Sequence, residues 1–283
     1  MVYFCADDYG IAKQCNNRIE KCLDDGVLNK VSVLPNGETE NFKLRLEEKG
    51  AKISLHLNLV EGYPLSSPQD VPLLITPQGT FKHSFIGLLF LSLSKNKRDF
   101  EKQIYKEIQK QLKFWKTNLG DAPLWLDSHQ HVHMIPLVFR TLLKALEDEK
   151  IKVEYLRIPS EPILPYLLTP SLYLKLRPIN LIKQWLLNFL ALVNRKALKK
   201  SKIPYAYFMG VAFSGFLTKE KIEKLLPKYL KLAKKHNKDV EITLHPGFLE
   251  AGESLSIGCR ADFEKFYFSS GRKQEFDTLL NLK

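Results

Sequence analysis

Short apolar runs alternate with amphipathic stretches along the chain, and most apolar runs stop at a polar cluster. Val2 to Ala6 reads as a buried strand that ends in Asp7-Asp8-Tyr9-Gly10. Asn16 to Asp25 reads as a helix closed by Gly26. Lys30 to Leu34 predicts a strand with Pro35-Asn36-Gly37 as its turn, and Glu40 to Lys49 a polar amphipathic helix ending at Gly50. Ile53 to Leu59 alternates cleanly, with Ile53, Leu55, Leu57 and Leu59 on one face and Ser54, His56 and Asn58 on the other. Pro64, Pro68, Pro72 and Pro77 make residues 61 to 84 a long ordered loop or flap. Arg98 to Asn118 is the clearest helix, with Phe100, Ile104, Ile108, Leu112 and Trp115 at helical spacing. Leu124 to Leu126 is a short strand running into Asp127-Ser128-His129, followed by a helix over Pro136 to Glu149 and a strand over Val153 to Ile158. A basic amphipathic helix over Lys219 to His236 precedes a last strand, Val240 to Leu244, which runs into His245-Pro246-Gly247.

Alternating strands and helices define an α/β fold of parallel strands and crossover helices, either a barrel or an open sheet. A chain of 283 residues that is 45% hydrophobic can bury one large core, and no break in composition divides residues 1–283 into two domains. The formal charge of +12 raises three partners: nucleic acid, an anionic membrane surface, or an anionic substrate. The basic residues are not interleaved with glycine and aromatics in a nucleic-acid motif, so nucleic acid is excluded as a partner. They crowd instead into Arg195 to Lys202 and Lys228 to Lys238. The cysteines at 5, 15, 22 and 259 form no CxxC pair, and reduced thiols suit a cytoplasmic protein. No signal peptide is visible, and the apolar run Trp185 to Val193 is too short to span a bilayer.

The candidate chemistry follows from position. Asp7-Asp8, His56 with Asn58, Asp127-Ser128-His129 and His245 all fall at or just past the carboxyl ends of strands, which form one rim in parallel α/β folds. One carboxylate and two imidazoles make a three-ligand divalent cation site with an open position. The chain offers Asp7 or Asp8, His56, and one of His129, His131 and His133, the last three sharing a face if H-Q-H-V-H is extended. Neighbouring side chains in extended backbone point apart, so one of Asp7 and Asp8 can bind the ion while the other faces water; the competing structural role is a helix N-cap pair. His245, held by Pro246-Gly247, suits a general acid.

Four blocks carry a resemblance: Ala6-Asp7-Asp8-Tyr9-Gly10 followed by Asn17; Leu55-His56-Leu57-Asn58-Leu59; Asp127 through His133; and Glu241 through Gly247. In this order they resemble the YdjC-like carbohydrate deacetylases, a family that takes in chitooligosaccharide deacetylases and hopanoid-associated relatives. The tail from Tyr267 to Glu275 is similar too. The resemblance implies a deformed TIM-like (β/α) barrel and one divalent ion, Mg2+ or Zn2+, held by Asp8, His56 and His129. It implies Asp7 as catalytic base, His245 as catalytic acid, an N-acetylated sugar as substrate, and His131 and His133 as groups that support the ligands or bind substrate; Asn58 and Arg157, near strand ends, are further substrate-binding candidates. Leu244 stands where the family often has a short polar or sulfur residue.

The segment from Pro162 to Lys202 lies outside the resemblance. Ile163 to Val193 is rich in Leu, Tyr and Trp and is followed by Arg195, Lys196, Lys199, Lys200 and Lys202. An apolar stretch with a basic flank suits peripheral contact with anionic lipid at the inner face of the membrane, and a lipid-linked substrate; the alternative is barrel helices with a solvated basic end. Arg157 and Glu161, around Pro159, are further candidates for substrate contact. Rival readings are a metal-dependent phosphoesterase and a non-catalytic sugar- or lipid-binding scaffold. The sequence admits a homodimer and does not require one.

Overall fold

In the computed structural model, which describes residues 1–173 and 176–282, seven strands form one parallel sheet. They are β1 (Val2–Tyr9), β2 (Lys30–Val33), β3 (Lys52–Leu57), β4 (Leu124–Ser128), β5 (Val153–Leu156), β6 (Tyr207–Met209) and β7 (Val240–Leu244), in the order β5-β4-β3-β2-β1-β7-β6. The Leu156 amide, at the end of β5, donates to Pro204 O at 3.0 Å, just ahead of β6. The two edge strands therefore meet at one point, and the curled sheet is a deformed seven-stranded barrel rather than an open, doubly wound one.

The pleat sorts the residues. Val31, Val33, Ile53, Leu55, Leu126 and Ile242 point outward into the continuous apolar core beneath the helices. Their neighbours Lys30, Ser32, Ser54, His56, Asp127 and Glu241 point inward, joined by Cys5, Asp7, Tyr155 and Arg157, and nearly all are fully buried. The interior is layered. At the amino ends of the strands Tyr3, Trp125 and Tyr155 stack, with Trp125 and Tyr155 centroids 4.6 Å apart. Above them lies a layer of charge. Arg157 Nε donates to Glu241 Oε1 at 2.8 Å, and Lys30 Nζ lies 2.9 Å from the same carboxylate and 3.1 Å from Asp127 Oδ2. Ser32 and Ser54 hydroxyls donate to Asp127 Oδ2 at 2.7 and 2.8 Å.

Most predicted elements appear within a few residues of their expected ends: Lys97–Leu119 for the longest amphipathic helix, Pro136–Asp148, Lys219–Lys235, and β7 over Val240–Leu244. The 61–84 stretch is an ordered loop with one 3-10 turn at Pro68–Asp70. The elements not foreseen as such include β6 and the helices Phe85–Leu93, Pro178–Ser201, Ala261–Tyr267 and Ser270–Asn281. β6 has three residues, too few for a period to register. Pro178–Ser201 lacks a readable apolar stripe because its buried positions include Asn180, Gln184 and Asn194 while large hydrophobics face out. Leu174 and Lys175 of the divergent segment lie outside the described residues.

Removing Arg157 leaves the Asp7 and Glu241 carboxylates buried with too little positive charge. Arg157→Met is expected to cost about 3–5 kcal/mol of stability, because a buried charge without its partner keeps its full desolvation penalty. Urea unfolding measures this; a midpoint unchanged from the parent would show that the network is dispensable to the fold.

Candidate active site

The site opens where β1 stops being regular. Pairing of β1 with β2 slips between Ala6 and Tyr9, and Asp8 takes a left-handed conformation with φ of 70°. That break changes where the two acids point. Extended backbone would send Asp7 and Asp8 to opposite faces, as the sequence suggested. Instead both carboxylates turn into the rim beside one imidazole, with His56 Nε2 at 3.5 Å from Asp8 Oδ1 and 4.0 Å from Asp7 Oδ2. Neither acid caps a helix, since the next one begins at Lys13 with Ala12 before it.

The other imidazole comes from a turn, not an extended run. His129–Met134 is a 3-10 turn in which Gln130 and His131 are left-handed, at φ of 51° and 58°. The three histidines of H-Q-H-V-H therefore diverge. His129 faces Asp8, with Nδ1 at 2.8 Å from Oδ1. His131 lines the pocket beside the Phe208 ring. His133 points back into the fold, between Ser128 Oγ at 2.5 Å and Arg157 O at 2.8 Å. Burial holds both His131 and His133 below the usual imidazole range, His133 at about 4, so both are neutral at pH 7.

Asp8, His56 and His129 each offer one ligand atom within 4.8 Å of the others, all buried. His129 Nε2 is buried and has no hydrogen-bond partner among the described residues. An ionised carboxylate and two imidazoles, one of them with an unpartnered ring nitrogen, fit a small divalent cation. Two other carboxylate groupings, Cys5-Asp127-Glu241 and Asp7-His56-Asp127, lie below it. The Lys30 ammonium and Arg157 guanidinium already fill that space.

Surrounding groups fix the charge of each member. Burial works to raise the Asp8 carboxyl, but His129 and Arg272 outweigh it and hold it well below the usual carboxylate range. Arg272 Nη2 sits 2.5 Å from Asp8 Oδ2, and the Tyr267 hydroxyl donates to the same oxygen at 3.3 Å. Burial likewise works to raise Asp7, yet the Arg157 guanidinium, which grips both oxygens at 2.7 and 2.9 Å, brings it below its ordinary value. Burial tends to strip the proton from His56, but Asp7, Asp127 and Asp8 oppose it and push its pKa up to about 9. Asp127 Oδ1 lies 2.6 Å from His56 Nδ1 and so aims Nε2 at the two acids.

His245 lies on the same pocket wall. The buried Glu275 carboxylate accepts from the His245 amide at 2.6 Å and lies 3.4 Å from Nδ1. Arg272 and Glu275 are three residues apart on the helix Ser270–Asn281, one serving Asp8 and the other His245. That helix packs closely on a loop: a Cβ at Gly271 would fall 1.7 Å from Gly215 O, so only glycine fits there.

Besides His133, three candidates for substrate contact lie off the pocket wall. Arg157 does not reach the pocket; it is 0% exposed, with its donors turned to Asp7 and Glu241. Asn58 is equally buried, its amide folding the next turn by accepting from the Val60 and Glu61 amides. Glu161 is 1% exposed and accepts from the Gly210, Val211 and Ala212 amides. Asn16 holds the loop after β1, accepting from the Gly10 amide at 2.6 Å and donating to Glu38 O at 3.0 Å. Lys30, Asp127 as the partner of His56, Arg272 and Glu275 had gone unassigned. A signal for two of them existed: Lys30 and Asp127 sit at inward positions of strands whose alternate residues are apolar.

The pocket has a volume of about 480 Å3 and is walled by the two acids, His56, His129, His131 and His245 together with Phe208, Phe263 and Phe266. This defines an α/β-barrel protein whose rim brings a group that could hold one cation beside the Asp7 carboxylate and the His245 imidazole. A family model described as YdjC-like protein matches residues 1–283, and the chain belongs to that family. It is 32% identical over 157 residues to a carbohydrate deacetylase of Xenopus laevis, covering 55% of this chain and 49% of that protein. It is 28% identical over 198 residues to a carbohydrate deacetylase of Danio rerio, covering 70% and 58%. The alignments thus span about half the length of these curated relatives. A crystal structure from Enterococcus faecalis V583, named for cellobiose-phosphate cleavage, superposes with a TM-score of 0.68 at 17% identity, covering 99% of this chain and 90% of that one, and so shares the fold.

A coordinating imidazole must be neutral, so an ion entering this site displaces the His56 proton. Below about pH 9, cation binding is expected to release about one proton and to strengthen with rising pH. Calorimetry in buffers of different ionisation enthalpy reads this directly. Asp127→Asn should weaken cation affinity by about 10–100-fold, the usual effect of losing the partner that orients a ligand histidine; unchanged affinity would remove Asp127 from that role.

Proposed function

We propose that this protein is a divalent-metal-dependent hydrolase that removes the acetyl group from an N-acetylated amino sugar, releasing acetate and the free amine. The observation that carries the reading is the convergence of Asp7, Asp8, His56, His129 and His245 on one pocket wall. Membership of a family whose curated relatives are named carbohydrate deacetylases supports the sugar amide as substrate.

Asp8, His56 and His129 would hold the ion, Mg2+ or Zn2+, with the two imidazoles favouring a transition metal. Bound there, it supplies Lewis acidity toward the acetyl carbonyl and toward water. Asp7 takes the proton that the attacking water gives up; Arg157 keeps the carboxylate ionised and fixes its direction. His245 donates a proton to the nitrogen as the C–N bond breaks, and Glu275 holds its ring in place. Neutral His131, facing the pocket, is suited to hydrogen-bonding the sugar. Asn58, His133 and Arg157 support the site from behind.

A two-metal phosphoesterase would need a second ligand set, and the carboxylates that could form one are tied to Lys30 and Arg157. The ion-paired carboxylates and the Asp7-His245 pair give a non-catalytic scaffold no advantage, since buried charge is costly to keep. Free thiols at Cys5, Cys15, Cys22 and Cys259 fit a cytoplasmic setting.

Acetate release from a panel of N-acetylated sugars, soluble and lipid-linked, tests the reaction. Asp7→Asn and His245→Ala should each lower turnover by about 10²–10⁴-fold, with the cation content of Asp7→Asn unchanged by elemental analysis. Loss of the ion in Asp7→Asn would overturn the division of roles between the two acids.

A further inference from the structure

The helix Pro178–Ser201 is apolar on its outer side as well as its inner one. Its inner side buries Asn180, Gln184 and Asn194 beside Leu187, Leu190 and Leu198, while Ile182, Trp185, Phe189 and Leu192 project outward, each about three-fifths exposed. Their spacing of three and four residues puts them on one face. The inner amides have work there: Asn180 donates to Ala212 O and Ser214 O, Gln184 to Glu161, and Asn194 to Met134 O. The outer face has no such partner to explain its large apolar side chains.

That face adjoins the pocket mouth. Leu186 and Leu187 of the same helix line the pocket, opposite Phe85 and Ile86 at the start of the helix Phe85–Leu93. The second helix also turns apolar residues outward, with Phe90 68% and Leu93 75% exposed. Mouth and apolar helices thus form one rim. The last turns of Pro178–Ser201 add Arg195, Lys196, Lys199 and Lys200, all exposed, on a chain of net charge +12. Arg177 and Lys183 stand at the pocket itself.

We propose that this rim is a docking surface for an anionic lipid bilayer, and that the site takes an acetylated sugar whose other end is anchored in lipid. Apolar side chains enter the headgroup boundary while the basic flank meets the negative surface. Charge selects the occupant, since a second copy of this chain would bring another strongly basic face to the contact. The docking is interfacial, because no helix among the described residues is long and apolar enough to cross a membrane. The substrate half of this inference rests on the deacetylase reading; the docking half does not.

Trp185 is a built-in probe. It is 56% exposed, whereas Trp115 and Trp125 are 4% and 5% exposed, and the chain has three tryptophans. Full-length protein is mixed with vesicles of phosphatidylcholine alone or with one-third phosphatidylglycerol, and tryptophan emission and sedimentation are followed. Docking predicts a blue shift and co-sedimentation with the anionic vesicles, weakened as salt rises. The double variant Trp185→Glu, Phe189→Glu should lose at least tenfold in partitioning while its acetate release from a water-soluble sugar is unchanged. No binding to anionic vesicles at low salt overturns the docking, whatever the panel of sugars shows. A dimer in which Trp185 is already blue-shifted and reverts on dilution overturns it too, making the face a subunit contact. Vesicle binding with no acetate from any sugar leaves the docking standing and sinks the deacetylase reading with the substrate half. Equal turnover of soluble and lipid-anchored acetylated sugars in vesicles overturns the substrate half alone.

Discussion

Arg157 is a fully buried guanidinium inside a barrel, and the site above it exists on its terms. It grips both oxygens of Asp7 and reaches Glu241, and with Lys30 it offsets three buried carboxylates, Asp7, Asp127 and Glu241. Taking so many ions out of water costs several kcal/mol each, and mutual attraction repays that only when geometry is good and the remaining lone pairs are bonded. Here the spare capacity of Asp127 is taken by Ser32 and Ser54. A better-packed apolar interior would serve stability at least as well. The layer is better understood as a platform: it keeps Asp7 ionised in a dry place and hands Asp127 to His56.

The platform is one of several buried supports that orient the acids and imidazoles. His56 is aimed from below by Asp127, and His245 is aimed from the side by Glu275. Asp8 is held by Arg272 and Tyr267 from the C-terminal helix region. Asp8, His56 and His245 are thus each oriented by a buried partner on a different element. Rigid placement of this kind lets a site work without reorganising at the moment of reaction.

The sequence made the architecture readable where its period was long, as in the helix over Phe100 to Trp115 and the alternating strand at Ile53 to Leu59. It brought Asp7, Asp8, His56, His129 and His245 to one rim, because strand-end polar clusters must share an end in a parallel sheet. It misled where backbone departed from the regular form. The left-handed Asp8 turns a neighbouring pair onto one imidazole, and left-handed Gln130 and His131 splay three histidines that extended chain would align. Arg157 was misjudged for a different reason: position along the chain gives the end of a strand but not whether a long side chain turns out to the pocket or down into the barrel. Arg272 and Glu275 reach the site only through tertiary packing of a helix with no local sign of function.

The amides on the inner side of the helix Pro178–Ser201 follow from the same demand for satisfied polar groups that built the interior. The loops at 160–161 and 210–214 are irregular and lie at the rim, so their backbone groups cannot pair with a strand. Glu161 collects three of the amides, and Gln184, Asn188 and Asn180 clamp Glu161 and the neighbouring carbonyls. Leu187, Leu190 and Leu198 on the same inner side join the apolar core, so the helix is anchored without any help from its outer face. The inner contacts explain why the helix stays on the protein, but they place no requirement on Trp185 or Phe189. Those residues carry exposed apolar area beside the pocket that folding does not use, and apolar area of that kind is ordinarily retained for contact with something outside the molecule.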